Sequence, residues 1–261
     1  MTETALAPTP EFLSETDSNP MPVTCRASDY PAGQVIERHA HAKGQLIYAV
    51  HGVMVVAVES GQWIVPPTRG IWMPAGLAHW IRCIGVVHMR STFVRPDAAP
   101  QLPAHSQAVG ISPLLRELIK AAVEVKAAYT PDSRDGRLMR LLLDELHALP
   151  VLPLHLPQPV DPRLQRICAR LVDAPHDAST LAEWGERLGV DVKTVQRLFA
   201  RETGMTFGKW RLQARLQHGL EQLATGARVI DVALALGYES PSAFATAFRR
   251  QFGQAPSEFF R

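Results

Sequence analysis

Two segments near the C-terminal end are built to one plan: a short helix, a glycine turn and a second helix. The first, TLAEWGERLGVDVKTVQRLFARETG, runs from Thr180 to Gly204. Thr180 and Glu183 have the spacing of a capping box, in which each side chain satisfies a backbone N–H at the start of a helix. Gly185 stands four residues before the turn glycine Gly189 and lets two helices approach closely. Asp191 is a good N-cap, Val195, Leu198 and Phe199 recur at helical spacing, and Gly204 ends the unit. The second segment, VIDVALALGYESPSAFATAFRRQFG, runs from Val229 to Gly253. Ala233 and Gly237 repeat the small and turn positions, Ser240 with Pro241 opens the next helix, and Phe244, Phe248 and Gly253 match Val195, Phe199 and Gly204.

The intervening FGKWRLQARLQHGLEQLATG reads as one long amphipathic helix that holds the two units at a fixed distance. Two rigidly joined helix-turn-helix units can place their second helices in successive major grooves, about 34 Å apart on one face of B-DNA. Local charge agrees. Between Lys193 and Arg250 there are nine basic and four acidic residues, whereas the whole chain carries only +2, too little to argue for any partner by itself.

The segments QRLFARETG, DVALALGYESPSAFATAFRRQFG and APSEFF resemble the signature of the AraC/XylS family of bacterial transcription regulators, over the whole C-terminal domain. The resemblance implies double-stranded promoter DNA as partner. It places Lys193, Thr194, Gln196 and Arg197 toward the groove in the first recognition helix, with Arg201 further along the same helix. Gln and Arg make bidentate contacts to adenine and guanine edges. The matching positions of the second recognition helix, Ser242, Ala243 and Thr246, are short, so the first unit is expected to read most of the sequence, while Arg249 and Arg250 grip phosphates. Arg211 and Arg215 have two open readings, phosphate contacts or a solvated helix face.

The N-terminal half has a different rhythm. From Val23 to about Arg95, short apolar runs separated by turn residues imply several strands in a small sandwich or barrel. Within it, GQVIERHAHAKGQLIYAVHG (Gly33 to Gly52) and PAGLAHW (Pro74 to Trp80) resemble the two motifs of the cupin superfamily. Residues i and i+2 of a strand share a face, so His39 and His41 point the same way, with Gln45 and His79 coming from neighbouring strands. The resemblance implies that these four line the inside of the barrel and can hold one divalent transition-metal ion, since imidazole suits zinc, nickel, copper or iron. Two departures weaken an enzymatic reading. Gln45 replaces the glutamate of the motif and removes its charge, and Cys83 replaces the final asparagine. Metal binding without catalysis, a metal-free pocket and hydrogen-bonded core histidines therefore all stay open. Tyr48, Trp63, Trp72, His88 and Arg90 are further candidates for a pocket lining, with Trp63 and Trp72 leaning to core.

The remaining segments complete a two-domain α+β chain. Residues 1–22, polar and without period, read as a loose tail; 23–105 as the small cupin or jelly-roll β-barrel; and 106–149 as two dimerisation-like helices. In these helices Leu114, Leu115, Leu118, Ile119, Ala122 and Val123, then Leu138, Leu141, Leu142 and Leu149, form apolar faces that bury each other or a second copy. Residues 150–160, with Pro150, Pro153, Pro157 and Pro159, read as a stiff linker, and 161–261 as the all-α double helix-turn-helix domain. Cys25, Cys83 and Cys168 lie far apart and suggest neither a disulfide framework nor a cysteine zinc site, which fits a reducing cytosol. The longest apolar run, Leu46 to Val58, is interrupted by His51 and too short for a membrane span of about 20 residues. The expectation is a non-enzymatic, homodimeric, cytoplasmic regulator whose barrel senses a small molecule or metal, or serves as a scaffold. The rival is a metal-dependent cupin oxygenase or isomerase with an appended helical domain.

Overall fold

The computed structural model describes residues 15–67, 69–126, 128–152 and 154–259, with the backbone of Ala5 and Leu6. The chain divides into two compact units, Met1–Val58 with Trp63–His155, and Leu156–Arg261 with Glu59–Gln62.

Apolar alternation and β-branched residues make the first unit a sheet domain. The chain's strands are β1 (Ala5–Leu6), β2 (Val23–Tyr30), β3 (Val35–His39), β4 (Gly44–Val58), β5 (Gly61–Val65), β6 (Arg69–Met73), β7 (His79–Val94), β8 (Gln107–Gly110), β9 (Val151–Leu152) and β10 (His155–Pro157), of which β5 and β10 straddle the boundary between the units. The main path of hydrogen-bonded neighbours is β1-β3-β7-β4-β6-β8-β9, and β2 also pairs with β7. The long strands β4 and β7 run antiparallel from Gly44↔Val94 to Ala57↔Trp80, with irregularities beside His51.

Both faces of this sheet are buried. Leu46, Tyr48, Trp72 and Val94 face one way, against helices α1 (Pro113–Ala122) and α2 (Arg134–His147). Cross-strand partners share a face, so Gln45 with Phe93 and Ile47 with Ser91 turn the other way. The helices pack through Leu115, Ile119 and Ala122 and through Met139, Leu142 and Leu146. Each large side chain so buried contributes about 1.5–3 kcal/mol. Three details depart from the sequence expectation. Leu114 and Leu141 remain 49% and 43% exposed, because the inward stripe of each helix is displaced from the row chosen by spacing. Strand β8 occupies the start of the segment read as helical. Residues 151–152 and 155–157 of the supposed linker are strands, and β9 pairs with β8 through Ala108↔Leu152. Proline is tolerated there because an edge strand leaves one row of N–H groups unused.

The tail also departs from expectation in part. Residues 15–18 are helical, and the segment is tied down: Lys43 Nζ donates to Asn19 O at 2.7 Å and Arg95 donates to Pro20 O. The tail residues 1–4 and 7–14 lie outside the described residues.

The second unit is all helical apart from its entry: α3 (Pro162–Asp173), α4 (Leu181–Leu188), α5 (Val192–Thr203), α6 (Phe207–Ala224), α7 (Val229–Ala235) and α8 (Pro241–Phe252). The expected signals are present as atoms. Thr180 and Glu183 form the capping box, and the side chains of Asp191 and Ser240 cap α5 and α8. Gly189, Gly204 and Gly253 close their helices in the left-handed region that glycine alone enters freely. A Cβ on Gly185 would come within 2.9 Å of Val190 O, so the turn is as tight as the spacing implied. One reading changes. Helix α6 does not have a single apolar stripe, since Trp210, Gln213, Ala214, Leu216, Gln217, Gly219, Leu220 and Leu223 are all buried. It is enclosed because α3, α5, α7 and α8 all pack on it.

Candidate nucleic-acid interface and histidine centre

Helix α5 presents Lys193, Gln196 and Arg197 fully outward and Thr194 half-exposed, while Val195, Leu198 and Phe199 anchor its inner side. In α8, Ser242, Ala243, Thr246, Arg249 and Arg250 are exposed, and Phe244, Phe248 and Phe252 anchor the inner side. The predicted contact residues therefore sit on the outer faces of the second helix of each unit. Their electrostatics differ from those of several other arginines of this unit. Arg163, Arg170 and Arg228 each pair with an aspartate. Among the described residues, by contrast, the side chains of Lys193, Gln196, Arg197, Arg249 and Arg250 have neither a hydrogen bond nor an ion pair. Arg201 is the exception on α5, with Nη2 at 3.0 Å from Glu202 Oε1. Thr246 Oγ1 donates back to Ser242 O at 2.9 Å, leaving it only acceptor capacity outward.

Arg211 and Arg215 resolve into a third role. Arg211 Nη1 donates to Ser179 O at 3.0 Å and lies over the Phe207 ring. Arg215 Nε donates to Pro175 O at 2.8 Å, Nη2 reaches Asp177 O at 3.4 Å, and the guanidinium stands over Tyr238. Both tie α6 to the loop between α3 and α4, and Arg215 also reaches the second helix-turn-helix unit through Tyr238. They are neither a solvated face nor a free phosphate grip.

In the first unit, β3 and β7 set His39 and His79 opposite each other as register partners. With His41 just before β4, the three imidazoles form a cluster whose ring centroids are 4.4 Å (His39 to His79), 5.1 Å (His39 to His41) and 6.0 Å (His41 to His79) apart. One nitrogen from each lies within 4.8 Å of the others. Second partners orient the rings. His39 Nδ1 is 2.7 Å from Glu37 O and His79 Nδ1 is 3.0 Å from Leu77 O. A backbone carbonyl at Nδ1 fixes the tautomer in which Nε2 keeps its lone pair for a metal. His79 Nε2 is buried with no hydrogen-bond partner, an arrangement that costs free energy unless something accepts that lone pair. Burial, reinforced by the charge His39 would carry, pulls the His41 and His79 pKa values down to about 4, and burial lowers that of His39. Neutral imidazole is the form that binds a metal. The donor set thus fits a divalent transition-metal ion.

Gln45 faces the same side but is otherwise engaged. Its Nε2 donates to Ser91 Oγ at 3.0 Å, while Oε1 is buried without a partner. Cys83 does not replace the missing carboxylate: it is not among the side chains that converge on the cluster, and burial pushes its thiol up to about 12. Cys25 and Cys168 are shifted to the same level by burial and are likewise not part of the group.

Residues 22–189 match the AraC-like ligand binding domain family, and residues 184–261 match a helix-turn-helix domain family. The chain belongs to the AraC family of transcription regulators. Among its relatives, the HTH-type transcriptional regulator NimR of Escherichia coli K12 is 34% identical over 221 residues, covering 85% of this chain and 81% of NimR. RipA of Corynebacterium glutamicum, another HTH-type transcriptional regulator, is 34% identical over 103 residues, covering 40% of this chain and 31% of RipA. A crystal structure of unsaturated fatty acid bound ToxT from Vibrio cholerae aligns over 93% of this chain and 96% of ToxT at 10% identity, with a TM-score of 0.38.

In this AraC-family regulator the other pocket candidates are accounted for by packing. Tyr48 is buried against the helices, Trp63 stacks on His155 with centroids 4.3 Å apart, and Trp72 Nε1 donates to Pro103 O at 2.8 Å. His88 and Arg90 share the exposed Asp29 on the sheet surface. Sequence reasoning missed Asp17, whose Oδ1 lies 3.8 Å from His41 Nδ1. Nothing in the local pattern marks it, since it sits in a polar stretch read as tail. No helix among the described residues is long and apolar enough to cross a membrane.

Proposed function

We propose that this regulator reads promoter DNA through Lys193, Thr194, Gln196 and Arg197 of α5 and the outer face of α8, and that the histidine centre of its N-terminal domain holds one divalent transition-metal ion as effector. The observation that supports the first part is the grouping of Lys193, Gln196 and Arg197 on the outer face of α5 and of Arg249 and Arg250 on that of α8, all exposed and without protein partners. Unpaired guanidinium and amide groups on a groove-sized helix keep their donors for base edges and phosphates. For the second part, the support is the convergence of His39, His41 and His79 with their Nε2 lone pairs unclaimed at His39 and His79. The metal supplies a charge and fixed directions at this point. The chain would supply three imidazole nitrogens, those of His41 and His79 on buried rings, and backbone carbonyls that orient His39 and His79. We read the domain as a sensor and not as an enzyme, since the set lacks the carboxylate of the two-histidine, one-carboxylate oxygenase site. In the same reading, α1 and α2 join two copies through their outward apolar residues, Leu114 and Leu141, so that two half-sites are occupied in a cytoplasmic homodimer.

A second effector reading has its own observation. A cavity of about 370 Å³ lined by Met21, Val23, Tyr129, Met139 and Leu143 suits a small apolar ligand.

The test begins with selection of the preferred DNA site from a random duplex library. Metal content of the purified protein and affinity for that site are then measured for wild type and for His39→Ala/His79→Ala. One metal per chain, lost in the variant together with a change of DNA affinity on adding zinc, supports the metal-sensing reading. Equal DNA affinities with no metal in either protein would remove it and leave the apolar cavity as the effector site.

A further inference from the structure

We infer that Asp17 is the carboxylate partner of the histidine centre, delivered by the N-terminal segment and not by the strand position that Gln45 occupies. The inference rests on the metal reading above.

The first reason is geometric. Asp17 Oδ1 is buried, has no hydrogen-bond partner, and lies 3.8 Å from His41 Nδ1. Asp17 thus lies beside Nδ1 of His41, as the carbonyls of Glu37 and Leu77 lie beside Nδ1 of His39 and His79, but at 3.8 Å against 2.7 and 3.0 Å. A shift of Asp17 Oδ1 by about 0.6 Å would bring the 3.8 Å contact to the outer edge of the hydrogen-bonding range of about 2.7–3.2 Å.

The second reason is charge. Three neutral imidazoles and the amide of Gln45 bring no negative charge to a divalent cation. A carboxylate hydrogen-bonded to the far nitrogen of a ligating histidine raises that histidine's basicity and offsets part of the ion's charge without occupying a coordination position.

The third reason is that Asp17 is held in place. Lys43, 3% exposed, donates to Asn19 O; Arg95 donates to Pro20 O; and Glu15 pairs with Arg26 at 3.5 Å. The segment from Glu15 to Pro20 is thereby attached to the sheet on both sides of Asp17. A metal that strengthens the His41 to Asp17 contact must, by linkage, also favour the docked segment, and undocking must weaken the metal.

The experiment is a calorimetric titration of the full-length protein with zinc, together with endoproteinase cleavage after Glu15, for wild type, Asp17→Ala, Asp17→Asn and His39→Ala. Wild type is expected to bind one zinc per chain, and both Asp17 variants to bind one zinc about 10–100-fold more weakly, the usual loss for an outer partner of a ligating histidine. Zinc should slow cleavage after Glu15 several-fold in wild type and leave it unchanged in Asp17→Ala. If Asp17→Ala binds zinc within threefold of wild type and shows the same protection, Asp17 has no part in the centre while the metal reading stands. If wild type takes up no zinc and resembles His39→Ala, the metal reading itself fails and the role of Asp17 falls with it.

Discussion

Two arginines of the C-terminal domain should give opposite phenotypes, and the contrast tests the placement of the DNA face. Arg197 on α5 is exposed and has no protein partner among the described residues, so Arg197→Ala removes nothing the fold uses. Stability should stay within about 0.5 kcal/mol of wild type. A bidentate arginine contact to guanine discriminates by about 1–3 kcal/mol, so affinity for the selected site should drop roughly 5–150-fold, with preference relaxed at one base pair. Arg215 on α6 has the reverse profile. Its Nε donates to Pro175 O at 2.8 Å and its Nη2 contact to Asp177 O is a weak 3.4 Å. One good bond from a charged donor is worth about 1.5–3 kcal/mol, and the stacking over Tyr238 adds about 0.5–1 kcal/mol. Arg215→Ala should therefore cost about 2–4 kcal/mol of stability. Any loss of DNA affinity should come without a change of base preference. Urea unfolding of the isolated variants and fluorescence-anisotropy titrations on the selected site and its single-base variants give both numbers. If Arg197→Ala lost stability, or Arg215→Ala relaxed base preference at normal stability, the assignment of the two faces would be refuted.

Three further outcomes follow from individual contacts. His41 and His79, 3% and 1% exposed with pKa values of about 4, take up protons far less readily than the unfolded chain near pH 6.5. Their contribution is intact above about pH 6.5 and is lost as pH falls toward 4. Metal-free protein should lose about 2 kcal/mol per histidine between pH 7 and pH 5; a urea midpoint of the N-terminal domain that does not move over this range would contradict the burial described. Gly136→Ala would place a Cβ 2.2 Å from Thr130 O and 2.3 Å from Pro131 O, both backbone atoms that cannot turn aside. It should cost at least about 2 kcal/mol, read as a lowered melting temperature, despite the higher helix propensity of alanine. Arg249→Ala and Arg250→Ala should weaken selected and random DNA alike and each lower the salt dependence of binding by about one unit of slope. A base-specific loss would instead move these residues into the groove.

The C-terminal domain was legible residue by residue because its signals are local. A capping box, an aspartate N-cap or a glycine with positive φ acts within four residues of itself, so Thr180 with Glu183, Asp191, Gly204 and Gly253 could be placed without knowing what packs on them. Leu114 and Leu141 were harder to place, since a period of 3.6 admits two adjacent rows of leucines and only the partner surface decides which row turns in. The strands within 151–157 escaped for a similar reason. Segments of two or three residues carry no period, and their pairing depends on which edge happens to be open beside them.

By itself the sequence determined the domain order, the duplicated helix-turn-helix, its outward-facing residues and the triad His39, His41 and His79, because each follows from spacing along one chain segment or from a motif. Only the tertiary structure decided that Arg211 and Arg215 hold α6 to a loop more than thirty residues away, that Gln45 is occupied by Ser91, and that Asp17 reaches His41 from the N-terminal segment. Such contacts join residues 24 to 46 positions apart. No local preference encodes them, and each depends on burial that exists once the sheet and the helical bundle have closed.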